Sequence, residues 1–299
     1  MQTRVYVDGR IEAPERATVR ALDHGFLFGD SIYETLRWHR GTLLQAEEHW
    51  ERLEASAARV YLDLQHTRAE LEAAVRATAE AAGVGADEDA LVRVVVTRGF
   101  GPLGLDFRGV PQRSLVVIVA PAGRPTREAF ARGLSLVVAE RRRTSPRALD
   151  PRAKTGNYLN NVLALHEALR LGADDALLLS ESGDLAEATT SNVFLVLDGL
   201  LVTPHLESGI LDGTTRRRLL GLCAAAGIAA SERRVGPAEL RRAEELFLSS
   251  SVRGILPVTR LDGRPVGSGA PGPLTQRLHV LLEAAADEEA RAARRAPVS

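Results

Sequence analysis

The amino-acid sequence predicts a mixed α/β (α+β) fold built from two domains. Short runs rich in Val, Ile and Leu alternate with longer segments of helical periodicity, and the Pro/Gly/Arg-rich stretch PAGRPTREAFARG at 121–133 interrupts the chain after an apolar strand. The 299 residues also suit two units of about 150 each. Domains are expected at 1–121 and 134–286, joined by a linker at 122–133. A flexible tail is expected at 287–299, where the sequence turns charged and small.

Each element follows from a local pattern. Arg4-Val5-Tyr6-Val7 alternates and runs into Asp8-Gly9, a pair that accepts positive φ at both central positions of a hairpin turn. The same dipeptide predicts turns at 198–199 and 262–263. Strands are expected at 31–38, 91–98, 114–120, 134–140, 175–180, 192–197, 246–249 and 255–259. Helical spacing intervenes at 46–60, where Trp50, Leu53, Ala57 and Val60 recur every three or four residues, and again at 67–82 and 215–226. A further helix at 157–171 presents Tyr158, Val162, Leu165 and Leu169 as its apolar face, and a last one is expected near 272–286. Cys223, alone and set in LLGLCAAAG, reads as a small core residue.

Charge excludes several functions. With 38 Lys+Arg against 39 Asp+Glu, interspersed, there is no basic field to attract nucleic acid. No run approaches the ~18 apolar residues of a membrane span. The opening MQTRVYVDGR lacks the apolar core of a signal peptide, so a cytoplasmic location is expected. The seven histidines, at 24, 39, 49, 66, 166, 205 and 279, show no ligand spacing, and no metal is expected.

Of the 38 cationic residues one is a lysine, Lys154, and the rest are arginines. A coding bias towards arginine accounts for the surface, where either residue carries a solvated charge. Arginine cannot replace lysine everywhere, because a guanidinium stays protonated and is a poor nucleophile, whereas an ε-amine can lose its proton and form a Schiff base. Lys154 lies between the Arg/Pro loop 141–152 and the helix at 157–171, held by a regular element yet able to point into a cleft.

Six segments occur in order: FGDSIYETLR at 28–37, HWERLEASA at 49–57, KTGNYLNNVLA at 154–164, LAEATTSNVF at 185–194, GILDGTTRRRLL at 209–220 and FLSSSVRGILPV at 247–258. Together they resemble the fold-type IV pyridoxal-phosphate enzymes, the family of branched-chain aminotransferases, D-amino-acid transaminases and aminodeoxychorismate lyases. The resemblance implies a small N-terminal α/β domain, a larger C-terminal pseudo-barrel domain that binds pyridoxal 5′-phosphate, and a homodimer. By this resemblance Lys154 bonds to the cofactor and shuttles a proton, and Glu187 partners the pyridine nitrogen. Without the family motif, Glu187 reads equally well as a solvated residue in a turn. Arg52, Gly213-Thr214-Thr215 at a helix start, Ser250 and Ser251 resemble the phosphate site, chemistry that suits a guanidinium fork and helix-terminal N–H groups. Leu211 matches the residue packed on the pyridine ring and Tyr158 the tyrosine that meets O3′, while Asn192 is assigned to local backbone order.

The substrate is less sharply drawn. Tyr33 and Arg93 fall on strands that line the family's pocket, and Arg93 stands where branched-chain enzymes use an arginine to accept acidic side chains. Arg37 and Arg98 are further carboxylate candidates. Tyr33-Glu34 and Thr97-Arg98-Gly99 look like the D-amino-acid enzymes, yet the Arg-x-His carboxylate trap expected next is replaced around Leu103-Gly104-Leu105. The expected activity is therefore transfer of an amino group from a D-amino acid to a 2-oxo acid such as 2-oxoglutarate or pyruvate, through a non-standard carboxylate site. Branched-chain L-amino acids and an aminodeoxychorismate lyase are the alternatives within the family. Outside it stands an NAD-dependent oxidoreductase, suggested by the GxGxxG match at 99–104. Pro102 interrupts that loop and no helix is expected after it, so it reads instead as a mobile loop; the resemblance implies that this region reaches across a dimer interface.

Overall fold

The three Asp-Gly turns form as their chemistry requires. Asp8 and Gly9 have φ of 45° and 95°, Asp198 and Gly199 49° and 74°, and Asp262 and Gly263 49° and 75°, all in the left-handed region. The computed structural model describes residues 1–295 and divides the chain into two units. One comprises Met1–Gly123, Ala153–Asn157 and the chain from Ala286; the other comprises Arg124–Arg152 and Tyr158–Ala285.

The first unit is built on a six-stranded sheet in the order Arg10–Glu12, Arg4–Val7, Ser114–Pro121, Asp89–Thr97, Ser31–His39, Thr42–Leu43, with all of these neighbours antiparallel. Strand alternation sends Ile32, Leu36, Val92, Val94, Val117 and Val119 to one core. The helices Ala46–Arg59 and Arg68–Ala81 close that core with Trp50, Leu53, Leu71 and Val75. Thr67 and Glu70 form a capping box at the start of the second helix.

Two outlying pieces of chain complete this unit. Lys154 to Gly156 pair with the open edge of Ser31–Tyr33: Tyr33 N donates to Lys154 O at 3.0 Å, Gly156 N to Ser31 O at 2.8 Å, and Ile32 bridges Thr155. A strand edge with unused N–H and C=O groups is thereby covered. The end of the helix Pro273–Arg295 supplies a clasp. His39 sits between Asp89 (Nδ1, 2.5 Å) and Asp287 (Nε2, 2.9 Å), Glu289 accepts from Gln45 N at 2.6 Å, and Arg294 reaches the carbonyls of Arg40 and Ala86.

The second unit carries a nine-stranded sheet in the order Ala230–Arg233, Leu200–Pro204, Asn192–Leu197, Glu245–Ser250, Gly254–Leu261, Leu134–Arg142, Asp175–Leu179, Leu185–Ala188, with Arg264–Pro265 paired to Gly254–Leu261. The last strand of that order returns against Asn192–Leu197 and Leu200–Pro204, which curls the sheet towards a barrel. Leu177, Leu185, Val193, Leu195, Val202, Leu246 and Leu248 fill its inside. Phe194, Phe247 and Ile255 face the helices Thr214–Ala225 and Pro273–Arg295, where Cys223 is buried as a core residue.

Three sequence expectations change. The second unit begins at Arg124, inside the expected linker 122–133, whose short helical piece is Arg127–Arg132, capped by Thr126. The tail expected from 287 is helical to Arg295; residues 296–299 lie outside the described residues. The helix at 157–171, found as Leu159–Arg170, turns the other way. It buries Asn161, Ala164 and Ala168 and exposes Leu159, Val162, Leu163 and Leu169. Small residues let this helix approach the strands Leu134–Arg142 and Asp175–Leu179 closely, and Asn161 Nδ2 donates to Thr189 O at 2.7 Å. The sequence also passed over the five-residue helix His24–Phe28, capped by Asp23. After Gly99 no α-helix opens: a single 3-10 turn at Phe107–Gly109 leads to the strand Ser114–Pro121, and Leu103 and Leu105 stand 74% and 82% exposed. Among the described residues no helix is long and apolar enough to cross a membrane.

Candidate active site

In the first unit the lysine is fixed by its main chain. Besides the strand pairing described above, Lys154 N donates to Ser56 Oγ at 3.0 Å, and Ser56 Oγ in turn donates to Arg52 O at 2.7 Å. Ser56 is fully buried, so one hydroxyl ties the lysine segment to the helix that carries Arg52. Gly156 admits no side chain, because a Cβ there would collide with Ser31 Oγ. The side chain then has a defined course: Lys154 Nζ lies 3.3 Å from Tyr33 Oη, within hydrogen-bonding reach, and 4.4 Å from the centre of the Tyr33 ring.

Strand alternation decides what surrounds it. Tyr33 lies opposite Val95, so Arg93, two residues earlier on the neighbouring strand, shares its face. The Arg93 guanidinium stacks 3.8 Å from the centre of the Tyr33 ring. It makes no hydrogen bond or ion pair among the described residues.

Arg37 and Arg98 are different. Arg37 is buried and paired with Asp89 at 2.8 Å, and Arg98 forks onto Asp30 and onto the carbonyls of Val60 and Tyr61. Both are committed to holding loops and strands together, so neither is an open carboxylate site.

Glu34 points to the opposite face, in among Ile32 and Leu36, and is 0% exposed. It survives there because Arg52 and His49, three residues apart on one helical face, supply its donors. Arg52 Nε and Nη2 each lie 2.7 Å from it, and His49 Nδ1 donates at 2.7 Å. Burial alone would raise the Glu34 pKa, but the charge and hydrogen bonds of Arg52 and His49 outweigh it and hold the carboxyl well below the usual range. Burial pushes His49 down, against the pull of Glu34. A neutral His49 therefore donates to an ionised Glu34 paired with a cationic Arg52. Sequence reading missed Glu34, His49 and Ser56; the period-two placement of a glutamate on an apolar strand face was the available signal.

The second unit groups a different set. Glu187 Oε1 accepts from Arg143 Nε at 2.9 Å, while Oε2 accepts from Leu211 N at 3.1 Å and Asn192 Nδ2 at 3.4 Å. Asn192 also donates to Leu211 O at 2.9 Å, so its side chain ties down that stretch of backbone and links it to the carboxylate. A Cβ on Gly213 would strike Asn192 Oδ1, so glycine is required beside this link. Gly213 begins the helix Thr214–Ala225 and offers no side-chain cap to its first-turn N–H groups. Thr214 Oγ1 lies 3.4 Å from Ser251 Oγ, bringing two of the expected phosphate ligands together. Thr215 is buried in the same first turn and Ser250 ends its strand opposite Gly254; neither side chain makes a hydrogen bond among the described residues. Tyr158 is half-buried just ahead of the helix Leu159–Arg170.

Pyridoxal phosphate presents an aldehyde, a ring nitrogen and a phosphate dianion. An immobilised amine beside a phenol, a carboxylate secured by an arginine, and uncapped N–H groups flanked by hydroxyls are the donors such a group needs, so the residues fit it. This fold and these groups define a pyridoxal-phosphate-dependent transferase. The family model for class IV aminotransferases matches residues 31–261. A putative branched-chain-amino-acid aminotransferase of Methanocaldococcus jannaschii is 34% identical over 275 residues, covering 92% of this chain and 93% of the relative. A D-alanine aminotransferase of Bacillus licheniformis is 32% identical over 280 residues, covering 94% and 96%. The solved branched-chain amino acid aminotransferase of Thermobaculum terrenum, in its pyridoxal-phosphate form, superposes with a TM-score of 0.80 at 29% identity, covering 94% of this chain and 92% of that one. The chain belongs to the class IV aminotransferases, enzymes that use pyridoxal 5′-phosphate.

Proposed function

We propose that this aminotransferase moves the amino group of a D-amino acid to a 2-oxo acid such as 2-oxoglutarate or pyruvate, holding a substrate carboxylate on Arg93. The observation that carries this reading is the Arg93 guanidinium, open to an anion and stacked on the tyrosine whose hydroxyl meets Lys154. Arg98 is closed by Asp30, which leaves Arg93 to take that role. The cofactor, when bound, supplies the carbonyl that takes up the amino group and the ring that accommodates the electrons released at the substrate Cα.

Lys154 Nζ is the amine that bonds to the cofactor and, once freed, moves the proton at Cα; Tyr33 Oη orients it. Glu187 keeps a proton on the pyridine nitrogen, and its own position is set by Arg143, Asn192 and the Leu211 amide. Arg52, Thr214, Thr215, Ser250 and Ser251 would hold the phosphate, Leu211 would pack on the ring and Tyr158 would meet the ring oxygen. Arg52 contributes as an oriented donor whose charge Glu34 largely balances. The exposed Leu159, Val162, Leu163 and Leu169 form an apolar face that supports a homodimer.

A second reading, transamination of branched-chain L-amino acids, is favoured by the names of the archaeal relative and the superposed structure. Half-reactions with D-alanine, L-leucine and aminodeoxychorismate, each followed through the visible band of the cofactor, distinguish these readings. D-alanine is expected to convert the band; rapid conversion by L-leucine with none by D-alanine would overturn the proposal. Borohydride reduction is expected to fix the cofactor on a peptide containing Lys154.

A further inference from the structure

The three Asp-Gly turns share one backbone conformation and differ in what their carboxylates do. Asp8, Asp198 and Asp262 have φ of 45°, 49° and 49°, each is exposed, and a Cβ on Gly9, Gly199 or Gly263 would meet nothing within 4 Å. Neither conformation nor access of water separates them.

Hydrogen bonding does. Asp8 N donates to Leu115 O at 3.0 Å, while its Oδ1 accepts from Leu115 N at 2.8 Å and its Oδ2 from Ser114 Oγ at 3.0 Å. Asp262 N donates to Leu136 O at 2.9 Å, and its Oδ1 accepts from Val138 N at 2.9 Å. Both residues are stitched, main chain and side chain, to the strand alongside. Asp198 has no such hydrogen bond among the described residues. What it has instead is an ion pair with Arg242 at 3.5 Å, between side chains 84% and 68% exposed, a contact that solvent largely screens.

Sheet topology explains the difference. Arg4–Val7 and Gly254–Leu261 each have a neighbour that runs on past their last residue. Val7 is opposite Val116, which leaves Leu115 and Ser114 beside Asp8, and Leu261 is opposite Leu136 in a strand that continues to Arg142. Asn192–Leu197 pairs with Glu245–Ser250, which begins only opposite Val196, so that strand ends before it reaches Asp198.

We propose that Asp198-Gly199 is the site at which this chain converts aspartate to isoaspartate. Gly199 N attacks Asp198 Cγ; the Cγ–N bond forms, a Cγ–O bond breaks, and water leaves with the carboxyl oxygen, the carboxyl proton and the amide proton. A second water opens the resulting cyclic imide. Addition at Cγ restores aspartate, whereas addition at the Asp198 carbonyl carbon breaks its bond to Gly199 N and leaves the chain running through Cβ and Cγ, with a new free carboxyl group at the surface. Glycine leaves the attacking nitrogen unobstructed at all three turns. The carboxyl group of Asp8 or Asp262 must first give up a hydrogen bond from a backbone N–H to reach that nitrogen, and the Asp198 carboxyl group need not. The extra main-chain atom then falls in the loop that holds Leu197 opposite Leu200, and such a loop sets the register of its strands.

Ageing the wild-type holoenzyme at neutral pH, then digesting it with a protease that cleaves before aspartate and not before isoaspartate, tests this. Cleavage before residue 198 is expected to be lost with time while cleavage before residues 8 and 262 persists. Asp8→Asn, Asp198→Asn and Asp262→Asn give a faster version, in which ammonia leaves in place of water and the gain in mass is read directly. Asparagine suits the left-handed turn position, and its Oδ1 still accepts a backbone N–H. In the folded proteins Asp198→Asn is expected to convert on the order of tenfold faster than the other two, equivalent to about 1.4 kcal/mol, and in denaturant the three rates should converge. Equal rates in the folded proteins, or faster conversion at residue 8 or 262, would overturn the proposal. So would rates that stay apart in denaturant, which would assign the difference to neighbouring sequence and not to the fold.

Discussion

Glu34 and Glu187 are both buried carboxylates that hold an arginine, and they hold it differently. Glu34 meets Arg52 with both oxygens at 2.7 Å and draws its third donor, His49, from the same helix. Glu187 meets Arg143 through one oxygen at 2.9 Å and gathers longer neutral contacts from Leu211 and Asn192. The first arrangement commits most of the charge of a cation to one strand-to-helix contact. The second converges three separate stretches of chain on a carboxylate whose ionic contact is single. A closed ion pair of the first kind fixes geometry, whereas a singly paired carboxylate can still act on a further partner.

If that contrast is right, Glu34→Gln strikes stability hardest. It leaves the Arg52 charge buried without its counter-ion, at a cost of about 3–5 kcal/mol in denaturant unfolding. The pH dependence follows in sign. The folded pKa of Glu34 lies below its unfolded value near ~4.3, so its contribution is present above that value and is lost as pH falls towards the folded one. Stability curves of the wild type should therefore drop on acidification, and Glu34→Gln should flatten that limb. Equal acid limbs in the two proteins would place the ion pair in the unfolded state as well.

Glu187→Gln should do the reverse, lowering kcat on the order of a hundredfold while the melting temperature moves little. A variant that instead lost stability and kept its rate would erase the contrast. Ser56→Ala comes last. Removing the hydroxyl between Arg52 O and Lys154 N leaves a buried amide without its acceptor and should cost about 1–3 kcal/mol. A melting curve reads that loss, and a broadened visible band would report a less fixed lysine.

Much of the secondary structure was legible because it rests on local rules. The Asp-Gly turns, nine of the fifteen strands among the described residues and the helices at 46–60, 67–82 and 215–226 follow from positive-φ tolerance and hydrophobic period. The helix Leu159–Arg170 shows where such rules stop. Periodicity identifies an apolar stripe but not its partner, and here the alanine stripe packs on the sheet while the leucine stripe faces outward. The strand Leu185–Ala188 was passed over because LAEA is short and composed of helix formers; pairing with Asp175–Leu179 overrides that preference.

Lys154 stood out by composition, since its chemistry cannot be delegated to arginine. Its surroundings did not stand out. Ser56, Glu34 and His49 become neighbours through a tertiary contact between a strand, a helix and a short length of chain nearly a hundred residues further on. The sequence put Arg93 ahead of Arg37 and Arg98 by resemblance alone. Arg37, Arg93 and Arg98 are chemically alike, and only the positions of Asp89 and Asp30 reveal which of them are already neutralised.

The edge of strand Ser31–Tyr33 that Lys154 covers has a consequence for biosynthesis. At ~5–20 residues per second, that edge leaves the ribosome several seconds before residues 153–157 exist to pair with it, and the clasp at His39 waits longer still for Asp287. The first unit is thus the earliest to be translated and the last to be finished. A nascent chain stopped anywhere before Lys154 exposes an unpaired strand edge, and one stopped before Asp287 lacks the clasp.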